Sequence, residues 1–207
     1  MKKLLLISFA VLIAASSFGQ IRLGLKAGLN LANMSTNAEG VSPKMIIGFH
    51  FGGILDIAMT DMISLQPGIL FSTKGAKADF DMGGTTVTGT TKVNYIEVPI
   101  NLTFKLGSGD TKFVPFIGPY LGYGIGGTMK MEGGGQSISQ DIKFGSSETD
   151  DLKALDLGLN IGVGVEMGSL IISAQYGLGL ANISTSSSET DKNNVIGISV
   201  GYLFGGK

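Results

Sequence analysis

Cysteine is absent, histidine occurs once, and only 15% of the 207 residues are charged. Without cysteine the chain can form no disulfide and carry no lipid-modified cysteine behind a leader. The single histidine, His50, leaves serine–histidine chemistry short of partners, and no nucleophile-elbow pattern accompanies it. Basic residues are scattered, with no basic patch interleaved with aromatics, which speaks against nucleic acid. Past the first twenty residues no apolar run reaches the ~18 residues that a spanning helix needs. Any membrane reading must therefore rest on strands.

Glycine is abundant, at 33 residues, and mean hydropathy is positive, which is unusual for a soluble domain. At the start, Lys2 and Lys3 precede an apolar run from Leu4 to Ala15, followed by Ser16, Ser17, Phe18 and Gly19. That arrangement is an export signal over residues 1–19, leaving one domain over 20–207. A retained anchor is the alternative, but the run is short for one. Removal of the signal leaves 13 basic and 16 acidic residues, a net charge near −3.

The clearest pattern runs from Leu155 to Glu166. Large aliphatic residues hold every odd position, from Leu155 to Val165, opposite Asp156, Gly158, Asn160, Gly162, Gly164 and Glu166. Period two of this kind makes a strand with two different environments. The same pattern recurs at residues 21–31, 45–58, 63–74, about 92–106, 113–126, 170–180 and 194–204. Val93 and Tyr95 break it in the fourth segment, where a bulge near Tyr95 and Ile96 would restore parity. Connections alternate long and short, the long ones being 32–44, 75–91, 127–151 and 181–193. Their Ser, Thr, Gly and Asn content suits exposure.

Eight strands with short turns at one end and long loops at the other predict an all-β, eight-stranded antiparallel up-and-down transmembrane β-barrel. Aromatics fall at both expected interfaces: Phe49, Phe71, Tyr95 and Tyr123 near the loops, and Phe104, Phe113, Tyr202 and Phe204 near the turns. A secreted lipocalin-like barrel with an apolar ligand inside is the rival. It gives no reason for the loop alternation or for glycine recurring on the polar face. Proline is the difficulty: Pro67, Pro99, Pro115 and Pro119 fall inside strands, where bulges or water-satisfied carbonyls are expected.

Four pieces carry a family resemblance: Gly24-Leu25-Lys26-Ala27-Gly28-Leu29-Asn30, Leu65-Gln66-Pro67-Gly68-Ile69-Leu70-Phe71-Ser72-Thr73-Lys74-Gly75, Asn94-Tyr95-Ile96-Glu97-Val98-Pro99 and Pro115-Phe116-Ile117-Gly118-Pro119-Tyr120-Leu121-Gly122. In their order and spacing the chain resembles the PorT-like outer-membrane β-barrel family of Gram-negative bacteria. The resemblance implies an outer-membrane location and a barrel, and brings no catalytic residues with it. One departure is the end, where Gly205-Gly206-Lys207 follows Phe204.

An eight-stranded barrel is about wide enough inside for its own side chains. Arg22, Asp56, Lys105 and Glu166 are expected low in the lumen and His50, Lys74, Glu97 and Asp156 high, with Lys26, Gln66, Asn101, Asn160 and Gln175 between. Charges there must be paired, so a salt-bridged structural plug is the first expectation. A narrow gated pore through Lys26, porin-like or secretion-associated, is the alternative, and a barrel-embedded hydrolase a weaker one. No catalytic, cofactor or metal site is expected: the Gly122–Gly127 run lacks the helix and acid of a nucleotide loop, and Asp141, Glu148, Asp150 and Asp151 match no calcium loop. Expected partners are outer-membrane lipid and lipopolysaccharide, the barrel-assembly machinery and an extracellular ligand on the long loops. The chain is expected to act as a monomer.

Overall fold

Alternating side chains build the whole molecule. The computed structural model describes residues 21–205 apart from 39, 84 and 148, so the expected export signal lies outside the described residues. Nine antiparallel strands follow one another: β1 (Ile21–Thr36), β2 (Ile46–Ala58), β3 (Ile63–Met82), β4 (Thr85–Phe104), β5 (Thr111–Gly133), β6 (Gln136–Asp141), β7 (Leu155–Met167), β8 (Leu170–Gly179) and β9 (Asp191–Phe204). They hydrogen-bond in the order β4-β3-β2-β1-β9-β8-β7-β5-β6, and β4 also pairs with β5. That last pairing closes the sheet into a ring, from which β6 hangs beside β5 alone. Closure leaves no open edge in the ring itself.

Polarity is inverted relative to a soluble domain. Inside the ring lie buried Asn30, His50, Asp56, Lys74, Glu97, Lys105, Asp156 and Glu166. Outside, Leu25, Ile69, Leu157 and Val200 are exposed, and Ile161 stands 55% accessible. In β7 the odd positions are outward and the even ones inward from Leu155 to Asp156 and beyond. Phe49 stacks on Phe51 and Phe71, which are themselves tilted to one another, with centroids 5.4–6.2 Å apart on the outer face, and Tyr202 meets Phe204 edge-on at 5.0 Å.

Several expectations need correcting. Tyr95, placed outside with the aromatic belt, is fully buried and points inward with Val93 and Glu97. No parity break occurs in β4. The register does shift at Asn94/Tyr95, but the extra residue is Ile125 on β5, since Asn94 pairs with Gly126 and Tyr95 with Gly124. The prolines bring no bulges. Pairing lapses for two residues beside Pro67, Pro99 and Pro119 and resumes in unchanged register. Pro115 still pairs with Val163 on β7, while the β4–β5 ladder stops one residue short of it. A missing N–H is thus met by a local gap in the ladder.

The segment 75–91, expected as a loop, is mostly strand. β3 and β4 run on as one hairpin paired from Gly75↔Lys92 to Met82↔Thr85. Likewise 127–151 contains the end of β5 and all of β6. Alternation continues in these extensions, but their outward residues become Lys77, Asp79, Thr86, Thr88, Thr90 and Lys92. The apolar residues, Ala78 and Phe80 among them, lie on the inner face instead, which is why the outward aliphatic pattern does not reveal these strands. The same change marks where the lipid-compatible surface ends.

Candidate functional site

The interior of the ring is the first candidate, and it is organised in layers. At the turn end β1, β2, β7 and the residue that follows β4 bring four charged residues together. Arg22 Nη2 lies 2.6 Å from Asp56 Oδ2 and its Nη1 2.7 Å from Glu166 Oε1. Lys105 Nζ is 2.7 Å from the same Asp56 oxygen and 3.9 Å from Glu166 Oε2. Below this square the turns enclose an open mouth of about 710 Å³ that also reaches Asp61, Asp110 and Lys112.

The next layer is apolar. Ile54, Leu70 and Leu203, with Ile171 against them, form a buried cluster, Ile54 falling between Asp56 and His50 along β2. Gly24 permits this packing, because a Cβ there would sit 2.6 Å from Leu203 and 3.0 Å from Ile54. Lys26 follows, donating to Gln175 Oε1 at 3.1 Å with its ammonium 5.8 Å from the Phe116 ring centroid. It is in no ion pair among the described residues.

Toward the loop end lies a second charged group. Lys74 Nζ sits 2.7 Å from Glu97 and 3.1 Å from Asp156, and 3.9 Å from the Tyr120 ring centroid. Asp156 is fully buried and also accepts from Asn193 Nδ2 at 3.0 Å and from Tyr120 Oη at 3.4 Å. His50 stands apart from the ion pairs: Nδ1 is 2.8 Å from Asn30 Oδ1 and Nε2 is 2.8 Å from Ser199 Oγ. A Ser–His–Asn chain of this kind looks like a hydrolase relay, yet it is buried against a cavity of about 10 Å³, with no room for a substrate. A second interior cavity, near Lys26, measures about 20 Å³, so each holds about one water.

A further apolar layer roofs the upper charges. Val93, Tyr95, Ile142, Leu152 and Ile183 are buried together, with Met34, Met129 and Phe144 packed against them. Ile142 and Ile183, and all three residues packed against the cluster, come from segments expected to be exposed loop. Bridges from Leu152 to Phe144 and to Ser184 fold those loops inward. Tyr95, Asn193 and this roof were not foreseen as parts of the interior. Tyr95's odd position in β4 was the available signal, whereas isolated Ile142, Leu152 and Ile183 in polar surroundings gave none. Among the described residues no group of three or more acidic or histidine side chains is placed to hold a metal; position 148 lies outside them.

A closed antiparallel sheet with charges paired inside and aliphatic residues outside defines an inside-out all-β protein rather than a soluble domain. The chain belongs to the family described as outer membrane protein beta-barrel domain, whose model matches residues 14–185. Membership supports an outer-membrane location. Among solved structures, it is similar to Ail, the attachment invasion locus protein of Yersinia pestis, at 14% identity over 88% of this chain and 98% of that one, with a TM-score of 0.47. Neisserial surface protein A is 13% identical over 88% and 97%, with a TM-score of 0.45. OprG from Pseudomonas aeruginosa is 11% identical over 91% and 98%, with a TM-score of 0.39. No curated protein sequence matches.

Proposed function

We propose that the chain is an eight-stranded, up-and-down outer-membrane β-barrel whose lumen is a structural plug and whose work is done at its projecting loop end. The inversion of polarity carries this reading. Outward aliphatics cover the ring and give way to Lys77, Asp79, Thr88 and Thr90 on the extended hairpin. A tilted strand of ~11 residues rises ~25 Å, the height of a lipid-facing band. Short turns then face the periplasm and long loops face outward.

The plug rests on charge balance and on sealing. Arg22, Lys26, Lys74 and Lys105 are matched by Asp56, Glu97, Asp156 and Glu166 inside the ring. Apolar layers at Ile54, Leu70 and Leu203 and at Val93, Tyr95 and Ile183 alternate with the charged ones. An ion crossing them would be stripped of water with no replacement ligand. The motifs from Gly24, Leu65, Asn94 and Pro115 support placement among PorT-like barrels, with residues 1–19 as a cleaved export signal. Lipid, lipopolysaccharide and the barrel-assembly machinery are the partners this reading implies, for a monomer.

Lys26 favours a second reading, a gated pore, because it is the interior cation here that lacks a carboxylate within salt-bridge distance. Planar-bilayer conductance separates the two. The plug predicts no steady openings at low voltage; openings that vanish in Lys26→Met would overturn it.

A further inference from the structure

Above the roof of the interior, the loop end opens into a cup of about 440 Å³. One wall is the projecting part of β3, β4 and β5, with β6 beside β5. That sheet is amphipathic: Lys77, Asp79, Thr88 and Lys130 face out, and Ala78, Phe80, Met129 and Met131 line the cup. Met131 is 56% exposed, and Ile138, its partner on β6, is 69% exposed on the same face. These apolar side chains stand beyond the stretch whose outward face suits lipid, so the bilayer does not account for them. A concave apolar surface of this size in water marks a binding site. Met34 adds a third methionine, and methionine adapts its shape and offers polarizable sulfur to varied partners.

The opposite lip sets the charge of the occupant. Asp151, Glu189 and Asp191 line the cup from the β6–β7 and β8–β9 connections and the start of β9. Asp151 accepts from the Lys143 N–H at 2.8 Å, whereas Glu189 and Asp191 are in no ion pair among the described residues. Lys77 and Lys130 border the cup only from the outer face of the sheet, and Lys130 is held by Glu132 at 2.8 Å, so carboxylates dominate the lip. The floor is closed, since Leu152 packs with buried Val93, Tyr95 and Ile183. Whatever enters stays at the surface.

We propose that this cup binds a small hydrophobic cation, its apolar body against Phe80, Met129 and Met131 and its positive charge toward Glu189 and Asp191. The Phe80 ring adds a face that attracts cations. The site does not depend on whether the lumen conducts, so it stands or falls separately from the plug.

Titration calorimetry with tetraphenylphosphonium tests it, using the full-length protein in zwitterionic nanodiscs and empty nanodiscs as the blank. Saturable binding of one cation per chain is expected, with the neutral triphenylphosphine oxide weaker. Glu189→Gln with Asp191→Asn should weaken the cation on the order of tenfold and leave the neutral compound unchanged. Met131→Ser should weaken both, and heat-modifiable migration verifies that each variant is folded. No saturable binding above the blank, equal affinity for cation and neutral compound, or indifference to both sets of substitutions would overturn the proposal.

Discussion

Replacing Lys74 by methionine removes the cation that holds two carboxylates together inside the ring. Glu97, 2.7 Å away, loses its salt bridge, and Asp156, 3.1 Å away, keeps only Asn193 Nδ2 and Tyr120 Oη. All three side chains are at most 6% exposed, and the cavity of about 10 Å³ beside Lys74 and Glu97 has room for about one water, too little to solvate two carboxylates. Removing one partner of a buried pair costs about 3–5 kcal/mol, and the lost contact with the Tyr120 face, 3.9 Å from Nζ, adds toward the upper end. Urea titration of the protein refolded into lipid vesicles, read by the folded band in unheated electrophoresis, measures the loss. Adding Glu97→Gln and Asp156→Asn to Lys74→Met should recover most of it, because the uncompensated charges are then gone. A loss below about 1 kcal/mol for the single variant, or a triple variant worse than the single, would refute the buried-layer reasoning.

Other consequences follow from the same geometry. Gly118→Ala drives a Cβ into the Ile100 carbonyl oxygen, backbone that can yield only by parting β4 from β5, so a loss of about 1–3 kcal/mol is expected in the same titration. Ile161→Arg, on the outward face of β7, should cost about 2–4 kcal/mol, while Asn160→Ala beside it costs much less; equal losses would reverse the face assignment. Outside the bilayer, hydrogen bonds from Lys44 and Thr88 hold the Asp79 carboxyl below its ordinary 3.8. A depressed carboxyl favours the folded hairpin above the unfolded pKa and loses that contribution as pH falls through the lowered value. Carboxyl NMR should therefore show a midpoint under 3.8 that rises in Lys44→Gln.

What the sequence makes legible depends on repetition. The β7 pattern assigns both of its faces, because six aliphatic residues in register leave one arrangement for the lipid-compatible side. Inward positions of Arg22, Asp56, Lys105 and Glu166 follow from the same parity, and the ring brings those four into contact. Heights are harder. His50 reaches the level of Lys74 but bonds Asn30 and Ser199, since local hydrogen-bonding partners decide what an uncharged imidazole meets. The extended hairpin turns its apolar residues, Ala78 and Phe80, inward and carries polar ones outward, so Thr86, Thr88 and Thr90 read as loop. Tyr95 misled through its type: aromatic residues belong at interfaces in such barrels, yet its position in the alternation points it inward to roof the charges. Single apolar residues such as Ile142 and Ile183 have no period and become meaningful only when the chain brings them together.

The chain contains no tryptophan, so one introduced residue reports on its own surroundings. Single tryptophans at Ile161, outward on β7, and at Thr90, outward on the projecting hairpin, can be compared in vesicles carrying brominated acyl chains. A membrane-spanning ring with a projecting polar collar predicts strong quenching at 161 and none at 90. Equal quenching at the two positions, or none at either, would contradict it.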